Sequence, residues 1–407
     1  MNRNMKKIYI ICLVMVFLMS CKNENNHASH SNATTITIVT ESEDVLNMST
    51  FVDSIELVPL ETKDDNLIGW IPRIIATKDY YYLLSASGWN SKKLFIFDKK
   101  GHFIRQISKE GEGPGEYIEL RDFTIVGDSI IKIAEVYNMM NFDIEGNLLS
   151  ERKQRDTSDK IVYLKGKSIT YNIGARNRNN LLLTLHDSED RYIKDFLEVS
   201  PLEARINDCF GRGEAFAFDE NYIYFNHPFS NIIYRIDIST QEYLPFYQIN
   251  FKDKNLSWKM FAEDGDVNSW ANMLEKSECF LAIDEILDMN NYFVINAVDG
   301  KYHSYFSIYS KRTGKVLTGR QIKDDLFLKG NQVNLKPMKT PHYKDGDYLL
   351  WVISPQTLLN GFNSYRELLG EKKWDLFCKK YPHLVEVCSQ LDEESNPVLA
   401  RIKIKDF

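Results

Sequence analysis

The sequence predicts an all-β fold, and three observations predict it. Short runs rich in Ile, Val, Tyr and Phe recur through the body, broken by Asp, Asn and Gly turns at strand rather than helix spacing. A strand–turn–strand unit repeats, and its turn acids Asp98, Asp143, Asp187 and Asp237 stand 45, 44 and 50 residues apart, the length of one four-stranded sheet in a radial array. Finally, residues 51–60 and 397–404 supply strands at both ends of the body that no complete repeat uses.

Taken in order, the chain opens with a leader. Arg3, Lys6 and Lys7 form a positive segment, and residues 8–19 an apolar one of 12 residues, too short to span a bilayer. Leu18-Met19-Ser20-Cys21 then reads as a lipoprotein processing site: residues 1–20 are a signal peptide, and Cys21 is the lipidated first residue. Lys22, where an Asp would favour the inner membrane, points to an outer membrane lipoprotein facing the periplasm or the surface. Residues 22–35 are almost all Asn, Ser, His, Glu, Ala and Thr and bury too little to fold, so 21–49 read as a lipidated, flexible tether.

The repeat is clearest at residues 94–105 and 140–149, and returns at 183–196, 232–247 and 305–317. Residues 345–352 begin a sixth copy, which is complete only if 51–60 and 397–404 join it. The prediction is a six-bladed β-propeller of four-stranded blades over residues 50–407, its ring closed by the N- and C-terminal strands, which removes open sheet edges. Small helical insertions are expected at about 254–276 and 364–391, where Trp, Phe, Met and Leu fall at helical spacing.

Composition narrows the partners. The formal charge is −7, and loss of the three basic leader residues takes it to −10, which argues against nucleic acid. Past the leader no apolar run is long enough to cross a membrane, so attachment falls to acyl chains on Cys21. Cys209, Cys279, Cys378 and Cys388 remain; a Cys378–Cys388 bridge and buried small apolar groups both fit their spacing.

Several segments resemble a known family, the six-bladed β-propeller lipoproteins of Bacteroidetes, which are NHL-like. They are residues 51–62, residues 97–107 running into Gly111-Glu112-Gly113-Pro114-Gly115-Glu116-Tyr117, then 231–236 and 396–399. The resemblance implies a tethered extracytoplasmic propeller of a kind whose members mostly lack an assigned biochemical role.

Residues 111–117 are glycine-rich but lack the Lys-Ser/Thr and the helix of a phosphate loop, so they read as a turn between blades; residues 210–214 echo them. Propeller ligands sit where loops between blades and between the two middle strands converge. The ligand-binding candidates on those loops are Arg73, Trp89, Glu116, Arg121, Tyr137, Arg176, Arg178, Arg212, Glu214, His227, Asn296 and Asp299. Their guanidinium groups suit a carboxylate or sugar acid, and Trp89 and Tyr137 offer flat faces to a sugar ring.

No H-E-x-x-H, G-x-S-x-G, zinc spacing or EF-hand pattern occurs, so no catalytic residue, metal or cofactor is assigned. The favoured function is a noncatalytic ligand-binding or protein-interaction module for a small anionic or saccharide ligand or an envelope protein. Two alternatives stand beside it. One is a metal-assisted hydrolase or lyase using single residues such as Glu116, Asn226, His227 and Asp299; the other is a scaffold in an envelope complex, docked through the second helical insertion.

Overall fold

The computed structural model describes residues 33–40, 45–87, 92–173, 179–210, 216–227, 229–277, 279–326 and 343–407. The fold is all-β, with 46% strand and 19% helix. Three strands come first, β1 (Thr34–Thr37), β2 (Val45–Asn47) and β3 (Val52–Pro59), with a single helical turn, α1 (Met48–Phe51), before the third.

Four-stranded antiparallel sheets then follow one another. The first holds β4 (Trp70–Ala76), β5 (Tyr80–Ala86), β6 (Lys92–Asp98) and β7 (Phe103–Ile107), and the second β8 (Leu120–Val126), β9 (Ile130–Glu135), β10 (Asn138–Phe142) and β11 (Leu148–Lys153). The third is β12 (Lys160–Leu164), β13 (Lys167–Tyr171), β14 (Leu181–His186) and β15 (Tyr192–Glu198). Next come β16 (Phe216–Phe218), β17 (Ile223–Phe225), β18 (Ile232–Asp237) and β19 (Glu242–Asn250). The fifth sheet holds β20 (Phe280–Asp288), β21 (Tyr292–Asp299), β22 (Ser304–Ser310) and β23 (Val316–Gly319), and β24 (Gln321–Lys323) follows it. The sixth joins the chain ends: β25 (Tyr343–Asp345), β26 (Tyr348–Ile353) and β27 (Val398–Ile404) pair in turn, and β27 pairs with β3 from Val398↔Pro59 to Ile404↔Val52.

Burial explains why these runs are strands. Middle strands such as β5 and β6 are buried on both faces and read as nearly continuous apolar sequence, whereas the fourth strand β11 is exposed throughout. The middle strands of each sheet are therefore packed on both sides, and the fourth strand is the more exposed. The first and second sheets share Tyr82, Ile96, Phe123 and Met140; the third and fourth share Val162, Leu183, Phe225 and Ile236. Tyr224 and Ile233 meet Phe293 and Ile295 between the fourth and fifth, and Val294 and Phe306 meet Trp351 and Ala400 between the fifth and sixth. Leu350 and Leu399 of the sixth pack with Tyr81 and Phe95 of the first. The seam between the second and third is different, with only Ala134, Met139 and Ile161 clustered there. A buried ion pair, Lys132 to Asp190, supplements it, and Asn141 Nδ2 donates to the same carboxylate at 3.0 Å.

The folded body begins earlier than residue 50. β1 adds as a fifth, parallel strand on β19, and β2 pairs with β24, so residues 34–37 and 45–47 of the expected tether lie in sheets. Ile36 and Ile38 are buried beside Ile249 and Phe251, an apolar anchor that the polar run before it conceals. Three helical features stand in the links. α2 (Pro201–Phe210), which the sequence reading did not anticipate, precedes β16. α3 (Val267–Lys276) lies within the expected insertion at 254–276 and follows two 3₁₀ turns, Lys252–Lys254 and Trp258–Met260, and Asp266 and Ser269 form its capping box. The second insertion is longer than expected, running through α4 (Pro355–Leu369), α5 (Glu371–Lys380) and α6 (Pro382–Gln390). Cys378 and Cys388 are not bonded to each other, and burial pushes the Cys388 thiol up to about 12.

The repeated turn acid has a common role. Asp98 Oδ1 accepts from the amides of Lys100 and His102, Asp143 Oδ1 from Asn147, and Asp187 Oδ1 from Glu189 and Arg191, each closing the hairpin between third and fourth strands. Side-chain and backbone hydrogen bonds from Asn147 hold the Asp143 carboxyl below its ordinary range. Burial opposes ionisation of Asp98 and Asp187, but hydrogen bonds from His102 and Arg191 outweigh it and leave both lowered. A carboxyl whose folded pKa lies below its unfolded one, about 3.9, contributes stability above that pH and loses it as pH falls through the folded value. Asp288, raised by burial, acts in the opposite sense. With the lowered turn acids in the majority, urea unfolding is expected to show stability falling as pH drops below about 4; a rise over that window would contradict the turn assignment.

Candidate functional site

Because strands alternate in direction, hairpins joining first to second and third to fourth strands leave each sheet at one end. The links between second and third strands, and from sheet to sheet, leave at the other. α2 to α6 all lie in links of the second kind, and among the described sequence-predicted binding residues Glu116, Arg121, Tyr137, His227 and Asp299 lie in or adjoin such links. Trp89, Arg176, Arg178, Arg212 and Glu214, and Cys21, lie outside the described residues.

Arg73 does not face the links. It is buried on β4 and paired with Asp122 at the start of β8, whose Oδ2 also accepts from the amide of Ile161 on β12 at 2.8 Å. One carboxylate thus ties together the first strands of three consecutive sheets, and β8 packs directly beside β12. Glu116 is held within its own loop: its Oε2 accepts from the Gly113 amide at 2.8 Å, and a Cβ on Gly111 would lie 1.9 Å from that oxygen. The glycines of the 111–117 motif therefore make room for a carboxylate cap, and Gly115 supplies a φ of +77°. Tyr117 plugs the loop into the core, with its hydroxyl 3.3 Å from the Lys92 carbonyl and its pKa raised by burial to about 12.

His227 is buried with its ring stacked on Trp258, beneath an apolar cap formed by Ile206, Phe229, Phe261, Trp270 and Leu274. Asn296 is buried and donates to Glu285 at 3.1 Å. Asp299 closes the turn after β21, accepting from the amides of Lys301 and His303 and from the Tyr305 hydroxyl. Burial opposes its ionisation, but the hydrogen bonds from His303 and Lys301 leave its carboxyl lowered. Among the described residues no three His, Cys, Asp or Glu side chains gather as a metal ion requires.

Arg121 and Tyr137 form the solvent-facing part of the predicted set. Arg121 Nε lies 3.2 Å from Glu119 and its terminal nitrogen 3.3 Å from Asp159; its carbonyl is 3.5 Å from Lys92 Nζ. Burial pushes the Lys92 ammonium down, against the attraction of Glu119 and Asp122. The result is a mixed-charge cluster of Lys92, Glu119, Arg121 and Asp159, drawn from strand starts in sheets one to three. Sequence reasoning missed Lys92, Glu119 and Asp159; only their position at, or one residue before, a strand start could have marked them.

Tyr137, 56% exposed, leaves the sheet at the same end, two residues after Glu135, which pairs with Leu120 between Glu119 and Arg121, and its backbone is fixed. Buried Glu135 accepts from the amides of Tyr137 at 2.6 Å, Asn138 at 2.8 Å and Ile118 at 3.4 Å. Gln154 adds two donors to the carbonyls of Glu135 and Asn138. Ile118, 50% exposed, is thereby held beside Tyr137. An internal carboxylate and an amide side chain are spent on presenting one exposed aromatic ring and one exposed aliphatic residue.

Comparison with known proteins agrees with the architecture. A candidate exported protein of Bacteroides fragilis superposes with a TM-score of 0.68 at 18% identity, covering 92% of this chain and 100% of that one. Weaker matches, with TM-scores of 0.38 and 0.36, are BamB from Moraxella catarrhalis, covering 65% of this chain and 67% of that one at 12% identity, and the Neurospora crassa Pan2 WD40 domain, covering 62% and 65% at 10% identity. No curated protein matches the sequence. Among the described residues no helix is long and apolar enough to cross a membrane. Residues 33–403 match one family over nearly the whole body, and the chain belongs to it: the domain of unknown function family DUF4934.

Proposed function

We propose that the sheets are six blades of one closed β-propeller, held outside the cytoplasm by lipid on Cys21, and that it is a noncatalytic module binding a saccharide or sugar acid at its loop end. Apolar seams between successive sheets, including sixth to first, and the β27–β3 pairing support the ring. The observation that carries the binding role is the fixed, exposed Tyr137 at the same end of the sheets as the Lys92–Arg121 cluster.

Arg121 is already matched by Glu119 and Asp159, so the cluster offers donors and acceptors together rather than a bare cation. Sugar hydroxyls, which both donate and accept, suit that pattern, and the tyrosine ring provides the flat apolar surface for a sugar face. Calorimetric titration with neutral oligosaccharides and uronic acids tests the reading. Saturable binding is expected, weakened at least tenfold by Tyr137→Ala with no loss of thermal stability, about 1.4 kcal/mol of binding free energy. Binding unchanged by both Tyr137→Ala and Arg121→Ala, or dependent on a divalent metal, would refute it.

A further inference from the structure

Trp70 is the first residue of β4 and is 58% exposed, at the link end of the first sheet. Exposure alone says little, because single apolar side chains are common on protein surfaces. The register says more. Trp70 pairs with Ala86 and Ala86 with Lys92, so the three side chains form one row across β4, β5 and β6 on one face of the sheet. Leu84 and Leu94, two residues along from Ala86 and Lys92, share that face and pack with Phe123 and Ile133 of the second sheet. The row therefore faces the seam between sheets one and two, and Lys92 Nζ crosses that seam to the Arg121 carbonyl at 3.5 Å.

The backbone under the indole is held closely, as that of Tyr137 is. Gly69 lies so near β5 that a Cβ there would stand 2.5 Å from the Ala86 carbonyl oxygen, and its amide donates to Ser85 Oγ at 2.9 Å. Any larger residue before Trp70 would push the start of β4 off the sheet.

Two interstrand spacings separate Trp70 from Lys92, about 10 Å, which one sugar ring does not bridge and a short chain of them does. The indole supplies a flat apolar face at one end of the row, and the Lys92–Arg121 cluster supplies donors and acceptors at the other. We infer, resting on the saccharide reading of that cluster, that the site extends along the seam to Trp70 and takes a chain of at least two sugar units. One ring stacks on the indole and the next is held by the cluster, so Trp70 sets the preference for a chain over a single sugar.

Calorimetric titration of the full protein with galacturonic acid, its dimer and its tetramer, and with glucose, cellobiose and cellotetraose, tests the extension. In at least one series the tetramer is expected to bind at least tenfold more tightly than the monomer. Trp70→Ala should erase that gain and leave the affinity for the monomer unchanged, whereas Trp70→Phe, which keeps a ring, should retain part of it. Tyr137→Ala separates the two sites, since it should weaken binding at every length. Thermal unfolding verifies that each variant is folded; if Trp70→Ala is not, the Trp70 indole N–H resonance decides, moving with the tetramer and not with the monomer. Equal affinity for monomer and tetramer in both series, or a gain that survives Trp70→Ala, would overturn the extension and leave the site at Tyr137 standing. Binding of none of these sugars would overturn both.

Discussion

Lys132→Met is expected to destabilise the protein by about 3–5 kcal/mol, the cost of stranding the charge of its partner in the interior. The Lys132 and Asp190 side chains are 2% and 3% exposed, and they meet at the seam where the shared apolar cluster is smallest. Removing the ammonium leaves Asp190 with the Asn141 amide as its remaining side-chain donor, too little to hold a buried carboxylate. Replacing both partners by apolar residues, Lys132→Met with Asp190→Leu, should recover much of the loss, because the desolvation of two charges disappears with them. Chemical denaturation of the two single variants and the double variant measures this. Single-variant losses below about 1 kcal/mol, typical of an exposed pair, would show that the seam is held otherwise.

Asn396→Ala should be comparably damaging. Its side-chain nitrogen donates to the carbonyls of Glu61 at 2.9 Å and Asn66 at 3.1 Å, its Oδ1 accepts from the Ile68 amide at 2.8 Å, and its own amide reaches Thr62 Oγ1 at 2.8 Å. The residue is buried and ties the approach to the last strand to the link that follows β3. Each buried partner left unsatisfied costs about 1–3 kcal/mol, so a loss of at least about 3 kcal/mol is expected in thermal or denaturant unfolding. A change within 0.5 kcal/mol, the usual range for a surface substitution, would remove this junction from the account. The clamp also gives a physical reason for the Asn-Pro-Val-Leu segment at 396–399: the amide closes the link, and Val398 and Leu399 enter the core immediately after it.

The sheets were legible because each hairpin between third and fourth strands announces itself. Asp98, Asp143 and Asp187 cap their turns by bonding backbone amides two or four residues on, a local requirement visible in local sequence. What needs a distant partner was not. Thr34–Thr37 reads as part of a polar tether until β19 offers it an edge some two hundred residues later. Arg73 reads as a binding arginine because its type and place suggest one, whereas the Asp122 that engages it sits in another sheet. α2 escaped notice because only Ala204, Ile206 and Asn207 of its ten residues are buried, a weak apolar stripe. In the candidate site, Tyr137 and Arg121 were found from the loop logic; Glu135, the residue that fixes Tyr137, is a strand residue whose role appears only when three amides converge on it.

The central claim is that β3, from the N-terminal part of the body, and its last strand, β27, lie side by side and complete the sixth sheet. Ser54 and Lys403 are directly paired and both exposed, so Ser54→Cys with Lys403→Cys should place two thiols within bridging range. On mild oxidation, peptide mapping by mass spectrometry is predicted to find an intramolecular disulfide joining positions 54 and 403 in the monomer. Failure of that link to form, or its appearance only between two molecules, would contradict the closed arrangement.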